Sequence, residues 1–174
     1  MISLSRCLVP VVSFLFTLPL IAAAQQSESP EPIGKDLELK ACGPKDKMAK
    51  YSVETDKSQH PTGTPAADKG LIYVVKPSRL ALQFKLAVDG EWKGVNRGYN
   101  YFFFMLPPGE HYFCSTDGHT RRTVVLTVEA GKTYYLEQRV VSYGIGWSED
   151  LVPVDNEEGQ KDLADTHLST FKIK

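Results

Sequence analysis

The stretch LQFKLAVDGEWKGV, residues 82–95, decides the fold. Apolar side chains occupy every second position from Leu82 to Val88, which is the period-two pattern of a strand with one buried face. Asp89 and Gly90 follow, and residues 91–95 continue as a second run. Asp-Gly between two such runs favours a two-residue turn, because both of its central residues need positive φ. The stretch therefore predicts a β-hairpin.

Runs of the same kind lie on both sides of this hairpin. They are rich in β-branched and aromatic residues or alternate apolar with polar positions: 71–75, 101–106, 111–115, 123–128 and 133–141. Turn residues separate them about every 8–12 residues, a spacing typical of sandwiches and barrels. We therefore expect an all-β protein, an antiparallel β-sandwich of about seven short strands.

The two ends of the mature chain differ from this pattern. Residues 25–40 are rich in Gln, Ser, Pro and Glu and predict a flexible leader, and an edge strand is expected near Tyr51. Near the C-terminus, Asp155 and Glu158 form a capping-box-like pair that predicts one short helix over Asn156–Leu168. Gly159 weakens that helix by about 1 kcal/mol relative to Ala.

Residues 1–24 have the three-part layout of a secretory signal peptide. Arg6 supplies the single charge, an apolar run follows, and Ala22-Ala23-Ala24 supplies the small residues before a cut after Ala24. The alternative is a retained anchor, since the apolar segment of about 18 residues is at the short limit for crossing a bilayer. With cleavage, we expect a periplasmic or secreted bacterial protein without stable membrane insertion. Its expected parts are a signal peptide (1–24), a leader and N-terminal segment (25–66) and a β-sandwich domain (67–170).

Removal of the signal peptide decides which cysteines remain in the mature protein. Cys7 leaves with the signal peptide, and Cys42 and Cys114 remain. A single pair in an exported protein is most simply a disulfide. The alternative is a redox pair or a metal site, but the chain has no C-x-x-C motif and its histidines are widely spaced. We predict a Cys42–Cys114 disulfide, no metal site and no cofactor.

Charge limits the class of partner. The 174 residues carry a formal net charge of −1, whereas a nucleic-acid-binding protein normally shows a basic excess. We therefore expect no nucleic-acid partner. Charge and composition do not indicate an oligomeric state.

Four segments resemble an uncharacterised bacterial exported family that is catalogued only as a domain of unknown function. They are ADKGLIYVVKPSR (67–79), the Val88-Asp89-Gly90 hairpin with Gly94, LPPGEH (106–111) and EAGKTYY (129–135). The tail LVPVDNEEG (151–159) is similar to that family's closing segment. The resemblance covers about residues 67–170 and implies an exported β-sandwich. It implies no catalytic residues.

Aromatic residues cluster on the middle strands and suggest a binding surface. One interpretation is core and cross-strand packing; the other is a stacking platform for a glycan or peptide, with Trp92, Tyr99 and Tyr101 as the ligand-binding candidates. The strand 101–106 is apolar on both faces, so either the C-terminal helix or a partner must cover its second face.

A catalytic site is not indicated. Ser115, Asp117 and His119 lie close in sequence, but a tight turn explains these residue types more simply than a triad does. We therefore expect a non-enzymatic cell-envelope module that binds an envelope protein or glycan through an aromatic sheet face. The alternatives are a structural or accessory domain without a small-molecule ligand, and an envelope hydrolase.

Overall fold

The structure, a computed structural model, describes residues 34–174. The predicted signal peptide, its cleavage site and the first part of the leader lie outside these residues. None of the helices within 34–174 is long and apolar enough to cross a bilayer.

The described residues form ten strands, two α-helices and one short 3₁₀ turn at Lys45–Lys47. The elements in chain order are α1 (Lys35–Cys42), β1 (Tyr51–Asp56), β2 (Gly70–Lys76), β3 (Gln83–Val88), β4 (Glu91–Arg97), β5 (Asn100–Leu106), β6 (Gly109–Thr116), β7 (Arg121–Val128), β8 (Thr133–Tyr143), β9 (Gly146–Val154), α2 (Asn156–Asp165) and β10 (His167–Ile173). Few helices and two sheets confirm the all-β class. Seven of the ten strands, β2 to β8, correspond to the runs in the sequence pattern, and the additional three are β1, where an edge strand was expected, β9 and β10.

The strands form a six-stranded sheet, β1-β10-β5-β2-β8-β9, and a four-stranded sheet, β4-β3-β6-β7. The expectation of purely antiparallel pairing is wrong for two neighbours, since β2–β8 and β10–β5 are parallel. The chain leaves the larger sheet after β2 and after β5, each time building two strands of the smaller sheet. Such long crossovers allow parallel pairing, which a tight hairpin does not.

The hairpin predicted at residues 82–95 is confirmed. Val88 pairs with Glu91 across the two-residue turn between β3 and β4. Asp89 has φ 52° and Gly90 has φ 82°, so both central residues adopt the left-handed conformation that the Asp-Gly pair tolerates. A register shift follows between Leu86 and Ala87.

The main core draws apolar side chains from both sheets. Ile72, Val74 and Leu136 of the larger sheet cluster with Leu86 and Phe113 of the smaller one, and all five are buried. They lie at alternate positions of their strands, as one-sided burial requires.

A helix covers the outer side of each sheet. The predicted C-terminal helix is confirmed as α2, which begins after Asp155 and packs Leu163 against Tyr73, Tyr101 and Tyr135 of the larger sheet. It ends at Asp165 rather than at the expected Leu168, because Leu168 belongs to β10. Helix α1 lies against the smaller sheet, where Cys42 forms the predicted disulfide with Cys114 at an S–S distance of 2.05 Å. Helix α1 occupies part of the segment expected to be a flexible leader. Its eight polar-rich residues fold because Ala41 and Cys42 are buried against β6 and β3.

Candidate functional site: a cationic groove beside Tyr99

The three aromatic residues proposed from sequence as a ligand-binding set do not share one surface. Tyr101 has no exposed surface, and its hydroxyl donates to the carbonyl oxygen of Pro61 at 2.8 Å. Trp92 is half-buried beside α1. Tyr99 is half-buried in the turn between β4 and β5. Tyr99 lines a groove, whereas a substitution of Tyr101 by Ala would remove a core side chain rather than test a surface.

The chain itself covers the aromatic side of the larger sheet. Leu163 of α2 packs in one cluster with Tyr73, Tyr101 and Tyr135. The connection between β1 and β2 adds a second cover, since the backbone N–H of Gly63 donates to the Tyr73 hydroxyl at 2.7 Å. The aromatic rings of β2, β5 and β8 therefore act as core, as in the first of the two interpretations.

Ser115, Asp117 and His119 do not converge. Ser115 is fully buried and donates to the Glu149 carboxylate. Asp117 Oδ1 accepts from the backbone N–H groups of His119 and Thr120 at 2.8 Å each, and His119 is exposed. The carboxylate closes a turn, as its residue type suggests.

A fully buried polar network lies between the two sheets. Gln138 Nε2 donates to Ser115 Oγ at 2.7 Å, and Gln138 Oε1 accepts from Asn96 Nδ2 at 3.0 Å. Burial raises the pKa of Glu149 to about 8. Since none of these four side chains has exposed surface, the network has no contact with solvent and joins the sheets rather than offering a binding site.

Three carboxylates gather where α2 meets β8. Oxygens of Glu137, Glu158 and Asp162 lie within 4.8 Å of one another, and the Arg139 guanidinium donates to both Glu137 and Glu158. Burial, together with the charges of Glu137 and Glu158, raises the pKa of Asp162. The Arg139 guanidinium thus compensates the negative charge of these carboxylates, and the four side chains form an ion-pair network.

A groove of about 660 Å³ opens between the end of β1 and the turn that joins β4 to β5. We call it the Tyr99 groove. Its volume falls within the range of about 300–1,000 Å³ found for small-ligand sites. Its charged and aromatic lining is Glu54, Lys57, Arg79, Arg97, Tyr99 and His167.

The Tyr99 groove carries an excess of positive charge. Lys57, Arg79 and Arg97 face a single carboxylate, that of Glu54. In the part of the chain that the structure describes, none of these three cations forms an ion pair. The local excess contrasts with the net charge of −1 for the whole chain. Two unpaired guanidinium groups in one groove favour an anion, because their donor geometry matches carboxylate and phosphate.

Tyr99 is held at the groove by its own backbone. Its φ of 30° is a left-handed conformation that disfavours a bulky residue. Its N–H donates to the carbonyl oxygen of Ser78 at 2.7 Å, and its carbonyl oxygen accepts from the N–H of His167 at 3.1 Å. The Arg79 guanidinium lies 5.5 Å from the centre of the Tyr99 ring. A non-glycine residue kept in this conformation is a candidate for function.

Lys76 links the buried network to the groove. This fully buried side chain donates through Nζ to the carbonyl oxygens of Ser78 at 3.2 Å and Leu80 at 2.8 Å. Burial lowers the pKa of Lys76 to about 8, and the nearby Glu149 carboxylate opposes that change. Because Ser78 also accepts from Tyr99, Lys76 fixes the loop that carries Arg79 beside the Tyr99 turn.

Sequence reasoning identified Tyr99 and missed its neighbours. Lys57, Arg79, Arg97 and His167 come from separate segments that only the fold brings together. Arg79 lies in the 67–79 segment that carried the family resemblance, but nothing in that segment marks it as a binding residue.

Comparison of the chain with protein-family models, curated proteins and solved structures finds no match. The resemblance to an uncharacterised exported family therefore stays a prediction that rests on the motifs quoted above.

Proposed function

We propose that the protein is an exported, non-enzymatic binding module of the cell envelope that captures an anionic ligand in the Tyr99 groove. The observation that carries this proposal is the convergence of Lys57, Arg79 and Arg97 on one groove beside Tyr99. Their charges are unpaired within residues 34–174. The proposed binding site is therefore not the aromatic sheet face but the cationic Tyr99 groove, which contains one of the three predicted residues.

Export is supported by the disulfide and by the sequence of residues 1–24. The Cys42–Cys114 bond is of a kind that persists in oxidising compartments, and the N-terminal residues have the layout of a signal peptide. We propose a periplasmic or secreted location on these grounds.

We also propose that the two sheets form a β-sandwich, the arrangement that the family resemblance implies. The shared core of Ile72, Leu86, Phe113 and Leu136 supports this, because it takes side chains from both sheets. The separation of Ser115 from His119 supports a non-enzymatic role, since a nucleophile needs a base within hydrogen-bond reach.

A structural or accessory domain without a small-molecule ligand is the second candidate. The observation in its favour is the covering of the aromatic sheet face by α2 and the β1–β2 connection. Under this alternative, the groove cations serve only to keep the protein soluble.

A titration followed by two-dimensional NMR distinguishes the two candidates. The probes are hexagalacturonate and an acetylated, amidated octapeptide of alternating Glu and Val, with maltohexaose and the Gln-for-Glu octapeptide as neutral controls. We expect saturable shifts at Arg79, Tyr99 and Arg97 with at least one anionic probe and none with the neutral probes. If no anionic probe produces saturable shifts there, anion capture by the groove is contradicted and the accessory role is favoured.

The variant Tyr99→Gly tests the ring without straining the backbone. Glycine adopts positive φ freely, so this change deletes the ring while retaining the turn. We expect weaker anion binding with a native amide spectrum. Tyr143→Ala removes an exposed tyrosine at the β8–β9 turn, away from the groove lining, and should leave binding unchanged.

A further inference from the structure

Strand β1 has one edge without a strand partner. It is the terminal strand of the six-stranded sheet and pairs with β10 alone. Within residues 34–174, no backbone hydrogen bond to another strand is made on its other edge. Such an edge offers a row of free N–H and C=O groups to any extended chain that reaches it.

The register identifies the residues that point outward. Lys174 N–H donates to the carbonyl oxygen of Lys50 at 2.9 Å. Hydrogen-bonded positions alternate along an antiparallel ladder, so the backbone N–H and C=O groups of residues 50, 52, 54 and 56 point toward β10. The backbone groups of Val53 and Thr55 therefore face the open edge.

The Tyr99 groove runs along this edge. Its lining includes Val53, Glu54 and Thr55, which are consecutive in β1. Neighbouring side chains of a strand point to opposite faces, so a groove that meets all three must meet the edge of the strand. Arg97 and Tyr99 also line the groove. Arg97 is the last residue of β4 in the smaller sheet, and Tyr99 lies in the turn between β4 and β5.

Charge and backbone chemistry therefore coincide in one place. The free edge presents alternating donors and acceptors with the spacing of a strand, which an extended polypeptide matches and a glycan does not. Lys57, Arg79 and Arg97 lie beside it and outnumber the carboxylate of Glu54. The groove thus fits a chain that has both a peptide backbone and acidic side chains.

We propose that β1 accepts an extended acidic segment of a partner protein as an added strand. Main-chain hydrogen bonds form with Val53 and Thr55, and carboxylates of the partner contact Arg79 and Arg97. This inference rests on the proposed function, because it uses the same groove, and it names the class of ligand as an acidic peptide.

Amide hydrogen exchange of the purified protein tests the added strand. The probe is the octapeptide of alternating Glu and Val. We expect the N–H groups of Val53 and Thr55 to exchange at least about tenfold more slowly with saturating peptide, while those of Ser52 and Glu54, already bonded to β10, change little. Peptide binding without this alternating protection would overturn the proposal.

The probe hexagalacturonate separates this inference from the proposed function. If the uronate shifts Arg79 and Arg97 but the peptide does not bind, the groove is an anion site and strand addition is wrong. If neither probe binds, both proposals fail. If the peptide binds with β1 protection and the uronate does not bind, both are supported.

A matched pair of variants tests the backbone contact. Thr55→Pro and Thr55→Ala both lose the hydroxyl that hydrogen-bonds with Asn100, but only proline removes the outward N–H, and an outward N–H on an edge strand is where proline is tolerated. We expect Thr55→Pro to bind the peptide about fivefold to tenfold more weakly than Thr55→Ala. Equal affinities of the two folded variants would contradict strand addition. Should Thr55→Pro not fold, the exchange measurement on the unmodified protein decides.

Discussion

Asp89 and His111 join the β3–β4 turn to strand β6. Asp89 Oδ2 lies 2.6 Å from Nδ1 of His111, and Asp89 Oδ1 accepts from the backbone N–H of Tyr112 at 2.9 Å. The second ring nitrogen of His111 lies 2.9 Å from the carbonyl oxygen of Pro107. One aspartate thus ties the hairpin turn and, through the imidazole, the β5–β6 connection to one side of the smaller sheet.

The variant Asp89→Ala should lower the free energy of unfolding by about 2 kcal/mol. It removes both hydrogen bonds, each of which contributes about 1 kcal/mol, and it places a residue without a polar side chain at φ 52°, where Asp is tolerated better than Ala. Asp89→Asn tolerates that φ and keeps an acceptor for Tyr112, so it should lose less. Urea denaturation measures both. Equal stability of the Ala variant and the unmodified protein would show that the contact contributes nothing.

Gly159→Ala should destabilise the protein although alanine is the better helix former. A Cβ at this position of α2 would collide with the ring and Cβ of Tyr135 in β8. The steric cost of overpacking, about 1–3 kcal/mol, exceeds the helix-propensity gain of about 1 kcal/mol. Thermal unfolding tests this, with Ala at the exposed Gln160 as the control. A higher Tm for Gly159→Ala would mean that α2 does not pack this closely.

Replacing both disulfide cysteines, Cys42→Ser with Cys114→Ser, should lower the free energy of unfolding by about 4 kcal/mol. The bond closes a loop with a sequence separation of 72, and loop-closure entropy gives that magnitude. Reductant should destabilise the unmodified protein to a similar extent and leave the double variant unaffected. If reductant changes neither, the two sulfurs are not bonded in the purified protein.

Stability should fall as pH rises between about 4.5 and 8. Burial raises the pKa of Glu149 from 4.5 to about 8, so in this window the native state holds a proton that the unfolded state has lost. The stability that this proton contributes is fully present below the unfolded-state pKa of Glu149, and it is lost as the pH rises through the folded-state pKa. Lys76, with its pKa lowered to about 8 from 10.5, acts oppositely at higher pH, where its neutral form is favoured in the folded state.

Glu149→Gln checks that assignment. The amide keeps an acceptor for Ser115 and carries no ionisable proton. We expect a Tm close to that of the unmodified protein near pH 4.5 and a Tm several degrees higher at about pH 8. A parallel fall of both proteins with pH would place the responsible group elsewhere, with Asp162 the next carboxyl to examine because burial raises its pKa as well.

The strands were predictable where the pattern was local. Alternation from Leu82 to Val88 and the Asp89-Gly90 turn depend on neighbouring residues, and both are confirmed. Strand β10 was not predicted, because its apolar residues Leu168, Phe171 and Ile173 do not keep a regular period of two and Leu168 was assigned to the preceding helix. It forms through pairing with β1 and β5. Tertiary contact therefore decided the structure of the tail.

The groove could be predicted only in part. Tyr99 was noticed as one of several aromatic residues, but its left-handed backbone depends on contacts with Ser78 and His167. Lys76 follows an apolar run and gives no sign in the sequence that its amine is buried beneath the loop of Arg79. The site exists because the β2–β3 loop, the β4–β5 turn and the end of β1 meet in space.

The affinity of the purified protein for the acidic octapeptide, measured by calorimetry before and after the paired change Arg79→Ala and Arg97→Ala, tests the central claim most directly. We expect the two exposed arginines to contribute about tenfold each, so the double variant should bind about one hundredfold more weakly while its amide spectrum stays native. Undiminished affinity in the folded double variant would contradict an anion-binding role for the Tyr99 groove.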